Sequence, residues 1–388
     1  MRLLLATHSF AMPGGSETYL LTVAQYLEQL GHEVTIFTLE PGEMSESAAE
    51  RGLRIATPEQ LDGGPYDAIA AQDGVVSYAL EERFPSVQQL FIAHTADYPL
   101  QFPPQASTTV GMVVAMNDRV AERLESLAHC PPLLRLRQPI DVRRFTVFNR
   151  LNESPASMLL LSNYVEGDRL EILREAARRT GIALNVVGRS GPDGPTVSPE
   201  MGLRTSDIVF GNGRAALEAM ACGRSVYVYG HLGADGWVTP ESYEALERDG
   251  FASLASERIV DADRLCADLA DYSPAMGSIN RSIAVRHHEA GHHASQLVEA
   301  LRELGSQAAS SDGERRLQEL ARLVRVQWQT EVRVLSVELQ LRQADAERVE
   351  LEQELERARS DYEAVVAGRG HRFGQALGRL LAFFRRRR

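Results

Sequence analysis

Short apolar runs alternate with amphipathic stretches twice over in this chain, and that alternation most limits what it can fold into. The first series runs from Met1 to about Arg150. "RLLLAT" reads as a buried strand, followed by a Pro-Gly-Gly turn and a helix from about Glu17 to Leu30. Gly31 stops that helix before the strand "EVTIFTL", and "YDAIAAQ", "QQLFIAHT" and "VGMVVAMN" continue the series. The pattern restarts at "SMLLLSN", with a charged helix around Arg169–Thr180, then "ALNVVG", "SDIVFG" and "SVYVYG". Strands that alternate with helices build a parallel sheet covered on both faces. The expectation is an α/β fold of two Rossmann-like domains, 1–150 and 151–304, joined around "RQPIDVRRF". Ligands of such sheets bind beyond the carboxyl ends of the strands, so a cleft between the domains is the expected site.

Past Leu304 the pattern changes. "GSQAASSDGE" (305–314) is a short polar linker, and 315–367 is rich in Leu, Glu, Arg, Gln and Ala. Val334, Val337, Leu341, Ala344, Leu351, Leu355, Ala358, Tyr362 and Val365 keep a 3–4 spacing that Arg348 interrupts. This spacing predicts a coiled coil or long helix, with a helix folded back on the body as the alternative. The end, 368–388, carries seven arginines and no acid. Phe373, Leu377, Leu380, Leu381 and Phe384 could share one face of a basic amphipathic helix on an anionic membrane. A disordered basic tail fits equally.

The remaining 367 residues are acidic, and the whole chain of 388 has a net charge of −12, which argues against nucleic acid as a partner. Three scattered cysteines (Cys130, Cys222, Cys266) suit a reducing compartment and form no zinc spacing. The start is too short in apolar residues for a signal peptide, and no run reaches the length of a membrane span. A cytoplasmic protein is expected.

Two stretches could carry chemistry. "PGGSE" (Pro13–Glu17) follows a strand and opens a helix, where glycines let backbone amides approach an anion such as a diphosphate. "GNGRAALEAMACG" again sets a glycine turn before a helix, with Arg214 able to add charge. Glu218, one turn in, could accept two hydroxyl hydrogen bonds, as from a ribose, or simply favour the helix dipole. "HHEAGHH" holds a literal HExxH from His288 to His292. On a helix that spacing would put two zinc ligands on one face, but Gly291 weakens the helix and no third ligand is evident.

The layout resembles the GT-B glycosyltransferases, and "PGGSETYLLTVAQYLEQLGHEVTIFT" and "ALEAMACGRSV" resemble the opening and the donor-site helix of family 4 members. "PIDVRRF" is similar to their interdomain segment, and "LFIAHTADYP" to the strand that presents a histidine at the acceptor side. The resemblance covers about Met1–Leu304. It implies that Gly14, Gly15 and the amides of Gly213, Arg214 and Ala215 face a donor diphosphate, and that Glu218 holds the ribose. It sets His94 beside the transferred sugar; the alternative is a histidine merely hydrogen-bonded in place. The chain departs from the family at three positions. Phe210 replaces a glutamate that binds sugar hydroxyls, Asn163 replaces one basic residue, and Arg169 lies near the second; Arg214 could supply the missing charge.

The function implied is a retaining, hexosyltransferase-like transfer from a nucleotide-sugar to a glycan or lipid-linked acceptor in polysaccharide biosynthesis, without cofactor or metal. The alternative is an altered GT-B-like nucleotide-binding or scaffold protein. A homodimer through the coiled coil, docked on the inner membrane face by its tails, completes the expectation.

Overall fold

In the computed structural model the described residues are 1–304 without 96, 97, 99, 100, 128 and 257–259, then 316, 318–334, 336, 337, 340, 341, 344, 348, 351, 352, 355–357 and 359. The chain divides into two units, Met1–Glu319 and one that begins at Leu320.

The first unit holds two sheets. Strands β1 (Arg2–Phe10), β2 (Glu33–Pro41), β3 (Arg54–Ala56), β4 (Ala68–Ala71), β5 (Gln89–Ala93), β6 (Val110–Ala115) and β7 (Leu133–Arg135) form a parallel sheet in the order β3-β2-β1-β4-β5-β6-β7. Strands β8 (Ser157–Leu161), β9 (Ala183–Val187), β10 (Ile208–Gly211), β11 (Ser225–Tyr229) and β12 (Ala234–Trp237) form the second, in the order β12-β11-β10-β8-β9. In it β12 alone runs antiparallel, on an edge. The helices are α1 (Gly15–Gln29), α2 (Glu43–Glu50), α3 (Gly74–Arg83), α4 (Asp118–Glu125), α5 (Gly167–Thr180), α6 (Glu200–Thr205), α7 (Arg214–Ala221), α8 (Tyr243–Arg248), α9 (Ala262–Ala270), α10 (Ala275–His288) and α11 (Ala290–Leu304).

Burial explains why the strands read as unbroken apolar runs. Leu3 and Leu5 of β1 face Leu20, Val23 and Leu27 of α1. Leu4 and Ala6 face the opposite layer, with Val76 and Leu80 of α3 and Val120 and Leu124 of α4. A strand covered on both faces needs apolar residues at every position. The second sheet repeats this: Leu159 and Val209 pack on Leu217 and Met220 of α7, and Met158 and Leu160 on Leu170 and Leu173 of α5. Gly31, at φ +84°, ends α1 as the sequence predicts, because that left-handed turn favours glycine.

One expected boundary is corrected. The stretch 151–304 is not a single domain, because α11 leaves the second sheet and packs on the first. Ala294, Leu297, Leu301 and Leu304 join the same buried cluster as Leu20 and Leu27. Their i, i+3, i+7, i+10 spacing makes the apolar stripe that covers this face. Glu289, with ψ 126°, breaks the chain between α10 and α11. There the second crossing between halves meets the first, since Ile140 N donates to His288 O at 2.6 Å and Ala290 N to Ile140 O at 3.1 Å.

In the C-terminal part, 318–334 are helical, as are the described residues from 336 to 359. Leu320, Val324, Trp328, Val332, Val334, Val337, Leu341, Leu351 and Leu355 are all exposed there. The linker 305–314, the seam positions Ala358, Tyr362 and Val365, and the basic tail 368–388 lie outside the described residues. Among the described residues no helix is long and apolar enough to cross a membrane.

Candidate functional site

The carboxyl ends of both sheets open on one cleft of about 360 Å³. From the first half come Pro13–Ser16 and Thr18 at the start of α1, with His94, Tyr98 and Gln101 after β5. The second half contributes Ser162–Tyr164 after β8, Gly188 after β9, Thr196 and Val197, and Asn212–Ala215 with Glu218 at the start of α7. Arg144 and Phe145, on the segment between the halves, complete the wall. Gly14, Gly15, His94, Asn163, Gly213, Arg214, Ala215 and Glu218 are therefore brought together. Arg169 is not.

Both helix starts lack a side-chain cap. Gly14 precedes α1 in extended geometry, and a Cβ there would come within 2.2 Å of the Glu17 carboxylate. Gly213 precedes α7 at φ +54° and ψ −127°, a conformation open to glycine alone. Its amide donates to Phe251 O at 2.7 Å, so of the three amides expected to face an anion, this one is already engaged.

Glu218 is buried and does not stand alone. Arg214, also buried, donates Nε to its Oε1 at 2.9 Å, one helical turn away. The same guanidinium donates Nη1 to Pro139 O at 3.0 Å and Nη2 to Thr22 Oγ1 at 2.9 Å. Thr22 in turn donates to Thr18 O at 2.7 Å, which leaves its lone pairs toward the arginine. Burial works against both charges, raising the Glu218 carboxyl and lowering Arg214, and each opposes that shift in the other. Arg214 thus ties α7 to α1 and to the interdomain segment. The expectation that it supplies free charge to a ligand is corrected: all three of its nitrogens have protein partners.

His94 is half-buried at the cleft wall, its Nε2 2.6 Å from Gln72 Oε1 and its ring edge-on to Tyr19 at 4.7 Å. Burial, with Arg214 and His293 nearby, lowers its pKa to about 3, so the imidazole is neutral. The neighbouring Gln72 Nε2 is buried without a partner.

Three other sequence features find structural explanations. Arg169 donates Nε and Nη2 to Gly230 O at 3.2 and 2.9 Å, donates also to Gly233 O, and lies 4.6 Å over the Tyr229 ring. Its place in the first turn of α5 turns it toward the loop after β11, which corrects its expected role at the donor. Phe210 is fully buried between Tyr227 and Tyr229, with ring centroids 5.2 and 5.9 Å away. Asn163 lies on the cleft wall and donates to Pro13 O across it at 3.4 Å.

Two histidines of "HHEAGHH", His288 and His293, serve the interdomain crossing. His288 Nδ1 donates to Gln138 O at 2.8 Å and His293 Nδ1 to Arg137 O at 3.0 Å. Their Nε2 atoms then accept from Tyr243 and Tyr19, each at 2.9 Å. Glu289 separates His288 from His292, so the two do not share one helix face. Among the described residues no three His, Cys, Asp or Glu side chains are grouped to hold a metal ion.

Sequence reasoning missed Arg144, although "VRRF" offered a signal: a basic pair in the segment that crosses between domains. Arg144 donates Nε to Glu200 Oε1 and Nη2 to Val197 O, and its guanidinium carbon lies 4.9 Å over the Phe145 ring.

No protein-family model and no curated protein sequence matches the chain. Solved structures do. Anabaena HepE in complex with UDP-glucose is 14% identical with a TM-score of 0.58, over 78% of this chain and 100% of that one. The pneumococcal O-GlcNAc transferase GtfA, in complex with UDP and GlcNAc, is 9% identical with a TM-score of 0.55, over 79% and 99%. TarM is 9% identical with a TM-score of 0.51, over 79% and 99%. At these identities the likeness establishes the fold, which is GT-B: two Rossmann-like halves facing a cleft.

Proposed function

We propose that this chain is a glycosyltransferase that moves a sugar from a nucleotide-sugar to an acceptor. One observation carries the reading: in a GT-B fold, two uncapped helix starts on glycine turns, one from each half, open on the same cleft. Helix N-termini favour anions, and two facing ones suit a diphosphate that gains charge as the sugar leaves. The amides after Gly14 and Gly15 and those of Arg214 and Ala215 take that role. Glu218 meets the ribose through the oxygen that Arg214 does not use. His94 positions the sugar or the acceptor as a neutral hydrogen-bonding group, and the outcome at the anomeric carbon is retention. The protein needs no metal in this reading, and the acceptor is a glycan or lipid-linked intermediate of polysaccharide assembly. UDP is the first nucleotide to try, since HepE and GtfA were solved with it.

The test is a panel of nucleotide-sugars on the full-length protein, read first by thermal shift and then by nucleoside diphosphate release in the presence of chelator. The expected result is a rise in melting temperature with one donor and slow, chelator-resistant turnover. Activity lost with stoichiometric metal would overturn the metal-free part.

A second reading has its own support. Phe210 lies in the core, and Arg169 and Arg214 are engaged by the protein. A GT-B-like protein that binds a nucleotide without turning it over fits these facts, and binding without release would favour it. For the C-terminal region, the exposed apolar residues from Val334 to Leu355 fit a parallel pair of helices. Such a dimer sets two basic tails side by side on the inner, anionic membrane face of the cytoplasm, near a lipid-linked acceptor. Light scattering at micromolar concentration and liposome sedimentation with and without 368–388 test the two parts separately.

A further inference from the structure

We propose that Arg144, on the segment linking the two halves, is the side-chain cation that receives the diphosphate of a nucleotide ligand in the cleft. The inference deepens the reading above and rests on it. Among the described residues the cleft has two arginines on its wall, Arg144 and Arg214, and His94 as its one histidine. His94 is neutral. Arg214 has Nε on Glu218, Nη1 on Pro139 O and Nη2 on Thr22, so turning it to a ligand would orphan three buried partners. Arg169 is outside the cleft wall, and Asn163 carries no charge.

Arg144 differs in how it is held. Nε and Nη2 engage Glu200 and the Val197 carbonyl, whereas Nη1 has no partner among the described residues and is not sealed from solvent. The Phe145 ring beneath fixes the guanidinium plane. A guanidinium fixed at one edge and open at the other is prepared to donate to phosphate oxygens. Glu200 pairs with it, so no unpaired cation is left on a partly buried wall. A diphosphate then competes with Glu200 for that charge. Arg144 lines the same cleft as the residues that open α1 and α7.

The experiment compares nucleoside diphosphates with their nucleosides (UDP with uridine, GDP with guanosine, ADP with adenosine) on the full-length protein by calorimetry. Wild type is expected to prefer one diphosphate over its nucleoside. Arg144→Gln should cut that preference by at least about tenfold, the effect of losing a charge-assisted contact, with nucleoside affinity unchanged. Glu200→Gln should raise diphosphate affinity severalfold and leave the nucleoside unaffected. Arg169→Gln should leave the preference intact. If wild type binds a diphosphate and Arg144→Gln keeps the full preference, the assignment is wrong. Should Arg144→Gln fail to fold, Glu200→Gln decides, and an unchanged preference there overturns the assignment. Wild type binding none of the three diphosphates at millimolar concentration would instead remove the underlying functional reading.

Discussion

The starts of α1 and α7 look alike in sequence and behave differently in the fold. Each follows a parallel strand, opens on glycine without a side-chain cap, and lines the cleft. At α1 the backbone is extended at Gly14, and Gly15 has open space where a Cβ would stand. At α7 the glycine is held in a conformation only glycine adopts, its amide is engaged, and the next residue is a buried arginine tied to the other half. One turn has open space at Gly15. The other is a fastening between domains, and its stability cost on mutation should be far greater.

Arg214→Met should show the largest effect. It leaves Glu218 buried without its partner and removes the ties to Pro139 and Thr22, so urea unfolding should reveal a loss of about 3–5 kcal/mol. A loss below about 1 kcal/mol would mean the pair is relieved by water and the two turns are not so different. Thr22→Val cuts the same tie from the α1 side without touching the cleft wall. The arginine then lacks one acceptor, and the expected cost is about 1.5–3 kcal/mol.

Acid should act on the crossing between the two halves. Burial lowers His288 to about 3 and His293 to about 4, so the folded protein keeps them neutral while the unfolded chain takes up protons below about pH 6.5. Stability is therefore fully present above that pH and falls as pH drops toward 4. His293→Gln should flatten this decline by up to about 1.4 kcal/mol per pH unit in chemical denaturation. An unchanged slope would show that burial does not hold His293 neutral.

The smallest effect should have the opposite sign. Gly15→Ala adds helix propensity in open space and should stabilise by about 0.4–1 kcal/mol, while its methyl narrows the cleft and weakens any anion bound there. Gly213→Ala, forced into φ +54°, should destabilise by about 1–3 kcal/mol. Equal responses at the two glycines would erase the distinction between the open turn and the fastening.

Much of the fold was legible because it rests on local rules. Two-sided burial writes continuous apolar strands, and a left-handed turn calls for Gly31. The three-residue strands β3 and β7 were not legible, since so few residues carry no period. Neither was the return of α11, whose apolar stripe would suit either sheet. Within the site, the glycine turns and Glu218 could be found from their place after strands. The state of Arg169, Arg214 and Arg144 could not, because an arginine's role depends on which carbonyls and carboxylates its long side chain reaches.

By itself, then, the sequence determined the alternation of strands and helices, two halves with a cleft at their carboxyl ends, and the glycine turns that open there. Those features follow from backbone geometry and from periods of a few residues. Tertiary structure alone decided which charges are available to a ligand. Arg214 finds Thr22 192 residues away and Pro139 75 residues away, while Arg144 finds Glu200 56 residues on. Burying a charge demands partners, and partners that distant exist only once both sheets have formed and the chain has crossed between them twice.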